Sequence, residues 1–207
     1  MLVRDLYLPK HEVVTANNDQ TVIEVLEKIK ESGYRCIPVI DGNDVYQGMV
    51  YKVHLIEYIY EDGGDKNTSV EQLLKHQKTF ISERSSFLNA LIEIKSLPFL
   101  SVVEDKKLIG ILTHNRVESV LEDAFGLTTG GINITISSTE AKGMIEKLTK
   151  TLRGDNIEGM FTLDNGSVLA RRVVITLDAE ADIDKLSEKL EKNGFRILHV
   201  DTIQKRN

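Results

Sequence analysis

The chain has 207 residues, 41% hydrophobic and 28% charged, with a formal net charge of −6. The acidic balance argues against a general nucleic-acid or membrane surface, and no apolar run approaches the roughly 18 residues that span a bilayer. A single cysteine, Cys36, allows no intramolecular disulfide, and Met1-Leu2-Val3-Arg4-Asp5 runs into an acid and then Pro9 before any apolar stretch of a signal peptide. These features read as a cytoplasmic protein.

Residues 1–11 form a lead-in segment, read as a short helix ended by Pro9. Val13-Val14-Thr15 is a short extended piece and Asn17-Asn18-Asp19-Gln20 a turn. Thr21 then caps a helix, with Glu24 at the capping-box spacing. Val22, Val25, Leu26 and Ile29 mark the buried face, and Gly33 closes the helix where a left-handed residue is needed. An apolar strand follows, Cys36-Ile37-Pro38-Val39-Ile40, then the polar turn Asp41-Gly42-Asn43-Asp44. A second strand runs through Gly48-Met49-Val50-Tyr51, and a helical stretch covers Leu55 to Tyr60.

About sixty residues on, the pattern returns. Asp62-Gly63-Gly64-Asp65-Lys66-Asn67 reads as a linker, and Thr68 to Leu74 as a short capped helix. Thr79-Phe80-Ile81 is the second extended piece. Ser86 caps a helix whose apolar spacing is carried by Leu88, Leu91, Ile92 and the Ile94–Leu97 end. Phe99 to Val103 is the strand, Glu104-Asp105-Lys106-Lys107 the turn, Gly110-Ile111-Leu112-Thr113 the second strand, and Val117 to Phe125 the closing helix. Two copies of one αββα unit therefore occupy residues 1–65 and 66–126.

After a linker at 126–131 the period changes. Ile132-Asn133-Ile134-Thr135-Ile136 alternates as a half-buried strand. Thr139 to Leu152 reads as a helix capped near Ser138 or Thr139. Ile157–Leu163 and Val168–Leu177 are strands joined by Asp164-Asn165-Gly166-Ser167, a hairpin signal. Asp182–Lys192 is a helix with Leu186 and Leu190 inward, and Phe195–Ile203 is the last strand. Val173-Val174-Ile175 belongs either to the core or to a dimer surface. The order is βαββαβ, the ferredoxin-like arrangement, over residues 130–207.

On the repeat, the Ile37-Pro38-Val39 strand and the two Gly-h-h-Thr-like turns, the first part resembles a pair of CBS domains. On its element order, the last part resembles an ACT domain. The whole is similar to acetoin-utilisation regulatory proteins and to CBS proteins that bind cyclic di-AMP. The resemblance implies an α+β fold, a tandem CBS pair plus a C-terminal ferredoxin-like ACT domain. It also implies a regulatory, non-catalytic protein that binds an adenine nucleotide between the copies and forms a homodimer; the protein target is unknown.

CBS proteins that bind AMP or ATP commonly carry Gly-h-h-Thr-x-x-Asp, with Thr on phosphate and Asp on the ribose hydroxyls. Here the first copy has Tyr51 and His54 at those positions, and the second keeps Thr113 but has Arg116 for the Asp. A guanidinium only donates hydrogen bonds and fits phosphate oxygens bidentately, so the ribose contact is lost and a phosphate contact gains weight. Tyr34-Arg35-Cys36-Ile37-Pro38-Val39 resembles the run ahead of the Pro-Val strand in cyclic di-AMP-binding CBS proteins. By that resemblance Tyr34 meets an adenine, Arg35 and Arg116 hold the phosphodiester, and the Cys36 and Ile37 backbone reads the adenine edge. His54 or His114 adds charge. The ligand implied is cyclic di-AMP or another adenine nucleotide, with no other cofactor.

Two alternatives differ in class. The first is an AMP- or ATP-sensing CBS pair. The second is an amino-acid-responsive ACT regulator with a structural CBS pair, although the usual Asp-x-x-Gly turn is absent from Ser137-Ser138-Thr139-Glu140. An enzyme is not expected: no nucleophile–base order, phosphate-cradling glycine loop or paired acids stand out, and the five histidines have no metal-ligand spacing.

Overall fold

The computed structural model describes residues 1–139, 142–164 and 170–205. A 3-10 turn at Val3–Asp5 leads to β1 (Leu8–Pro9), a second 3-10 turn (Lys10–Glu12) and β2 (Ala16–Asn17). The lead-in helix thus stops at Asp5, and Pro9 lies in a strand. The cause is tertiary: the Val3 and Arg4 N–H groups donate to the Ser85 and Glu83 carbonyls, far along the chain.

α1 (Val22–Ser32) starts in a capping box. The Thr21 N–H donates to the Glu24 carboxylate at 2.8 Å, and Thr21 Oγ1 accepts the Glu24 N–H at 3.4 Å. These bonds satisfy donors that a helix start leaves orphaned. Val22, Val25, Leu26 and Ile29 are fully buried, and Gly33 ends the helix at φ 73°, a left-handed conformation cheap for glycine.

β3 (Cys36–Ile40) pairs antiparallel with β4 (Tyr46–Tyr51) and parallel with β2. α2 (Lys52–Tyr60) follows directly. The second copy repeats the order with α3 (Phe87–Glu93), β5 (Phe99–Glu104), β6 (Lys107–Thr113) and α4 (His114–Ala124). β5 pairs antiparallel with β6, whose other edge takes β1.

The repeated glycine has a steric reason. A Cβ at Gly48 would lie 2.7 Å from the Lys75 carbonyl oxygen, and one at Gly110 would lie 2.2 Å from that of Leu8. At both places another backbone crosses the strand where only glycine leaves room. The chain thus crosses over: Leu8–Pro9 lies on the second sheet, while Lys75 bridges Met49 and Val70 packs into the first core. The core between the sheets joins Cys36, Ile40, Tyr46 and Met49 to Phe99, Val103, Leu108 and Ile111. Residues Met1–Val117 form one compact unit and Glu118–Asn207 a second.

α3 differs from its sequence reading. Ser86 is the cap, its side chain accepting the Asn89 N–H. With the helix started there, Phe87, Ala90 and Ile94 face inward, and Leu88 and Ile92 are 65% and 67% exposed. The apolar spacing through Leu88 and Ile92 is real, but it marks the outer face, because the cap and the following 3-10 turn (Ile94–Ser96) set the phase.

In the second unit, β7 (Gly131–Ser138), α5 (Met144–Thr151), β8 (Ile157–Leu163), β9 (Arg171–Leu177), α6 (Ile183–Lys192) and β10 (Arg196–Ile203) follow in order. The strands pair antiparallel in the order β10-β7-β9-β8, the ferredoxin-like arrangement. Ile132, Ile134, Ile136, Met144, Leu148, Val173, Ile175, Leu186 and Leu190 form its core. Val173 and Ile175 are core residues, and Val174, on the opposite face of the sheet, is also buried.

The helix after β7 begins at Met144, after Gly143 at φ 80°, and not at Thr139; Ser138 still belongs to β7, pairing with Arg171. The Asn165-Gly166 turn and Glu140 lie outside the described residues. No helix is long and apolar enough to cross a membrane among the described residues.

Candidate functional site

Pairing with β2 reaches only Val39 and Ile40 of β3. The preceding residues, Cys36, Ile37 and Pro38, therefore keep an edge uncovered by β2, and a cavity of about 300 Å³ opens there. Its wall on this side is Tyr34, Arg35, Cys36 and Ile37. Phe99, Ile111 and Thr113 of the second copy face in as well, and Glu12 and Val13 line it from the segment before β2. The volume is at the lower end of the ~300–1,000 Å³ typical of small-molecule sites.

Each polar group has a local reason for its place. Gly33 turns the chain so that Tyr34 and Arg35 emerge exposed ahead of β3. The Arg35 carbonyl accepts the Lys52 N–H at 2.9 Å, tying this wall to the start of α2. Thr113 ends β6, and its Oγ1 accepts the Arg116 N–H at 3.4 Å; its own O–H proton remains to donate.

A second cavity, of about 430 Å³, shares Arg35, Cys36 and Pro98 with the first and adds Tyr51, Lys52, Val53 and Ile56. Arg35 thus stands in a wall common to both. No described carboxylate forms an ion pair with Arg35 or Arg116. Both guanidiniums are exposed and always charged.

Of the eight residues expected at the site, Tyr34, Arg35, Cys36, Ile37 and Thr113 line the first cavity, and Tyr51 lines the second. His54 and Arg116 line neither. The His54 ring packs on Tyr51 with centroids 5.2 Å apart, and its Nδ1 is buried without a described partner. His76 lies against Tyr51 at 5.9 Å. His114 is taken up structurally, its Nε2 2.7 Å from the Leu97 carbonyl.

Burial pushes the Cys36 thiol up to about 12, so it is neutral near pH 7 and a small apolar wall residue. Burial also raises the Tyr51 phenol to about 12, with Cys36 adding to the shift. Among the described residues no group of three or more His, Cys, Asp or Glu side chains could hold a metal ion.

Glu12, Val13, Phe99 and Ile111 were not singled out by the sequence. Phe99 could have been, since it occupies in β5 the position of Cys36 in β3. Glu12 had no signal, because it lies ahead of the strands, turns and glycines that recur in the two copies.

The family model of the CBS domain matches residues 3–61. No curated protein matches the chain. Among solved structures, a CBS domain-containing protein of unknown function from Bacillus anthracis is 26% identical, with a TM-score of 0.54 over 59% of this chain and 93% of that one. CbpB in complex with c-di-AMP is 17% identical, with a TM-score of 0.55 over 59% of this chain and 85% of that one. A CBS domain pair/ACT domain protein from Thermotoga maritima is 22% identical, with a TM-score of 0.52 over 60% of this chain and 98% of that one. The first part of the chain is thus CBS-like in sequence and in fold.

Proposed function

We propose that this protein is a regulatory adenine-nucleotide sensor whose ligand is cyclic di-AMP, bound at the cavity between the two CBS-like copies. The observation that carries the reading is Arg35, a guanidinium with no acid partner among the described residues, in the wall shared by two adjoining cavities. A ligand with two heterocycles and two phosphates needs apolar walls on both sides of a cation, which is the layout around Arg35, Cys36 and Pro98. Thr113 offers a hydroxyl donor from the second copy, Tyr34 a ring for an adenine, and the uncovered β3 edge at Cys36 and Ile37 a backbone for its edge. Arg116, in the first turn of α4, adds positive charge outside the cavity. The likeness to CbpB, solved with c-di-AMP, agrees with this choice.

In this reading residues 130–207 act as an ACT domain that assembles or transmits, the protein works as a homodimer, and its role is regulation. The ferredoxin-like strand order β10-β7-β9-β8 supports the ACT assignment. Binding shifts populations only by the difference in affinity between two states, so the ligand must bind one placement of the copies better than another.

The test is calorimetric titration with cyclic di-AMP, AMP and ATP, paired with thermal unfolding. A ligand at 100 times its Kd adds about 2.7 kcal/mol of stability. Cyclic di-AMP binding that is lost in Arg35→Ala supports the reading. Binding of AMP or ATP but not cyclic di-AMP replaces the ligand. Absence of any nucleotide binding overturns the reading and turns attention to amino acids.

A further inference from the structure

Among the described residues that line the two cavities, one is a carboxylate: Glu12, which lines the first. It ends the 3-10 turn that follows β1, so the pairing of β1 with β6 carries it to the cavity. Its side chain is 52% exposed, and its described partner is His11, whose Nε2 lies 3.6 Å from Glu12 Oε1. No described lysine or arginine neutralises it.

An ionised carboxylate accepts hydrogen bonds and donates none. It repels phosphate and attracts neutral O–H and N–H donors. Arg35, in the same cavity lining, does the opposite. The cavity is therefore polarised, with a donor that suits phosphate, an acceptor that suits uncharged polar groups, and apolar Val13, Phe99 and Ile111 among the remaining lining residues.

We propose that Glu12 is a specificity-determining residue of the ligand site. It accepts hydrogen bonds from uncharged donors of the ligand, either a ribose hydroxyl or the exocyclic amine of an adenine, while Arg35 holds the phosphate. This rests on the nucleotide reading above. It goes beyond that reading by naming the group that orients the ligand and selects its base or sugar.

The experiment is calorimetric titration of the full chain, wild type, Glu12→Gln and Glu12→Ala. The ligands are cyclic di-AMP, its 2′-deoxy analogue, which lacks the hydroxyl, and its inosine analogue, which lacks the amine. A hydrogen bond to a charged acceptor corresponds to about ten-fold in affinity or more. The expected result is about ten-fold weaker binding of one analogue by the wild type. Cyclic di-AMP should weaken about ten-fold in Glu12→Ala, and the difference between it and the analogue should vanish there. The analogue that is discriminated identifies the donor as hydroxyl or amine.

Unchanged cyclic di-AMP affinity in Glu12→Ala overturns the role of Glu12 and leaves the site reading standing, as does discrimination that persists in the variant. A wild type that binds no adenine nucleotide overturns both. Thermal unfolding of the variants checks the fold, which Glu12 supports with no described hydrogen bond.

Discussion

Cys36 stands directly opposite Tyr51 across the β3–β4 ladder, and Phe99 stands opposite Thr113 at the same place in β5–β6. The small and large partners are exchanged between the copies. Cys36, Phe99 and Thr113 line the first cavity, and Tyr51 lines the second together with Cys36. The repeat is thus symmetric in backbone and asymmetric in its cavities.

Thr113→Tyr should therefore fill the first cavity as Tyr51 encroaches on the second. Nucleotide affinity is expected to fall at least about ten-fold, since both a donor and space are lost. Thr113→Ser, which keeps the hydroxyl, should stay within a few-fold. Equal affinity for Thr113→Tyr and wild type in titration would remove the first cavity as the binding site.

Arg35→Ala and Arg116→Ala separate contact from background charge. Hydrogen bonds to charged groups contribute about 1.5–3 kcal/mol, so Arg35→Ala should weaken cyclic di-AMP binding roughly 10- to 100-fold. Arg116 lines neither cavity, and exposed charges are screened over ~10 Å at 0.1 M salt. Its substitution should cost less, and its effect should fade as salt is raised. The reverse ranking in salt-dependent titrations would put Arg116 on the phosphate.

Alkaline stability should reflect two buried groups, Cys36 and Tyr46, and the half-buried Tyr51. Burial raises the Cys36 thiol from 9.0, and the Tyr46 and Tyr51 phenols from 10.0, each to about 12. The unfolded chain loses these protons first. Their contribution is present in full below pH 9 and is lost as pH rises toward 12. Melting temperature should fall through that window, and in Cys36→Ala the fall should begin near pH 10 rather than 9. A flat profile from pH 8 to 11 would contradict the burial of this cluster.

Substitutions on α1 and α3 test the two helix faces. Leu26 is fully buried, so Leu26→Ala should cost about 2–5 kcal/mol in denaturant unfolding. Leu88 is mostly exposed, and Leu88→Ala should stay within about 0.5 kcal/mol. A large loss at Leu88 would show that its outer face is covered in solution by another copy.

Much of this fold could be read from the chain alone, because its information is local. The Thr21–Glu24 capping box, the left-handed Gly33, the alternation through Ile132, Ile134 and Ile136, and the order of elements all depend on neighbours a few residues apart. The two-copy repeat was legible for the same reason, since it is a comparison of local patterns. Tyr34, Arg35, Cys36, Ile37 and Thr113 came from that repeat and from a family resemblance, and they do share one cavity.

Tertiary structure decided the rest. Val3 and Arg4 bond to Ser85 and Glu83 across most of the first unit, which turns a lead-in helix into a strand on the second sheet and carries Glu12 to the cavity. The inner face of α3 depends on where its cap starts the turn, a matter of phase that apolar spacing at Leu88 and Ile92 cannot reveal. Arg116 and His54 sit at motif positions but outside both cavities, because the motif sets the order of residues along α2 and α4 and not the direction in which their side chains leave the helix. Cavities form where strand pairing stops, and that limit is set by partners distant in the chain.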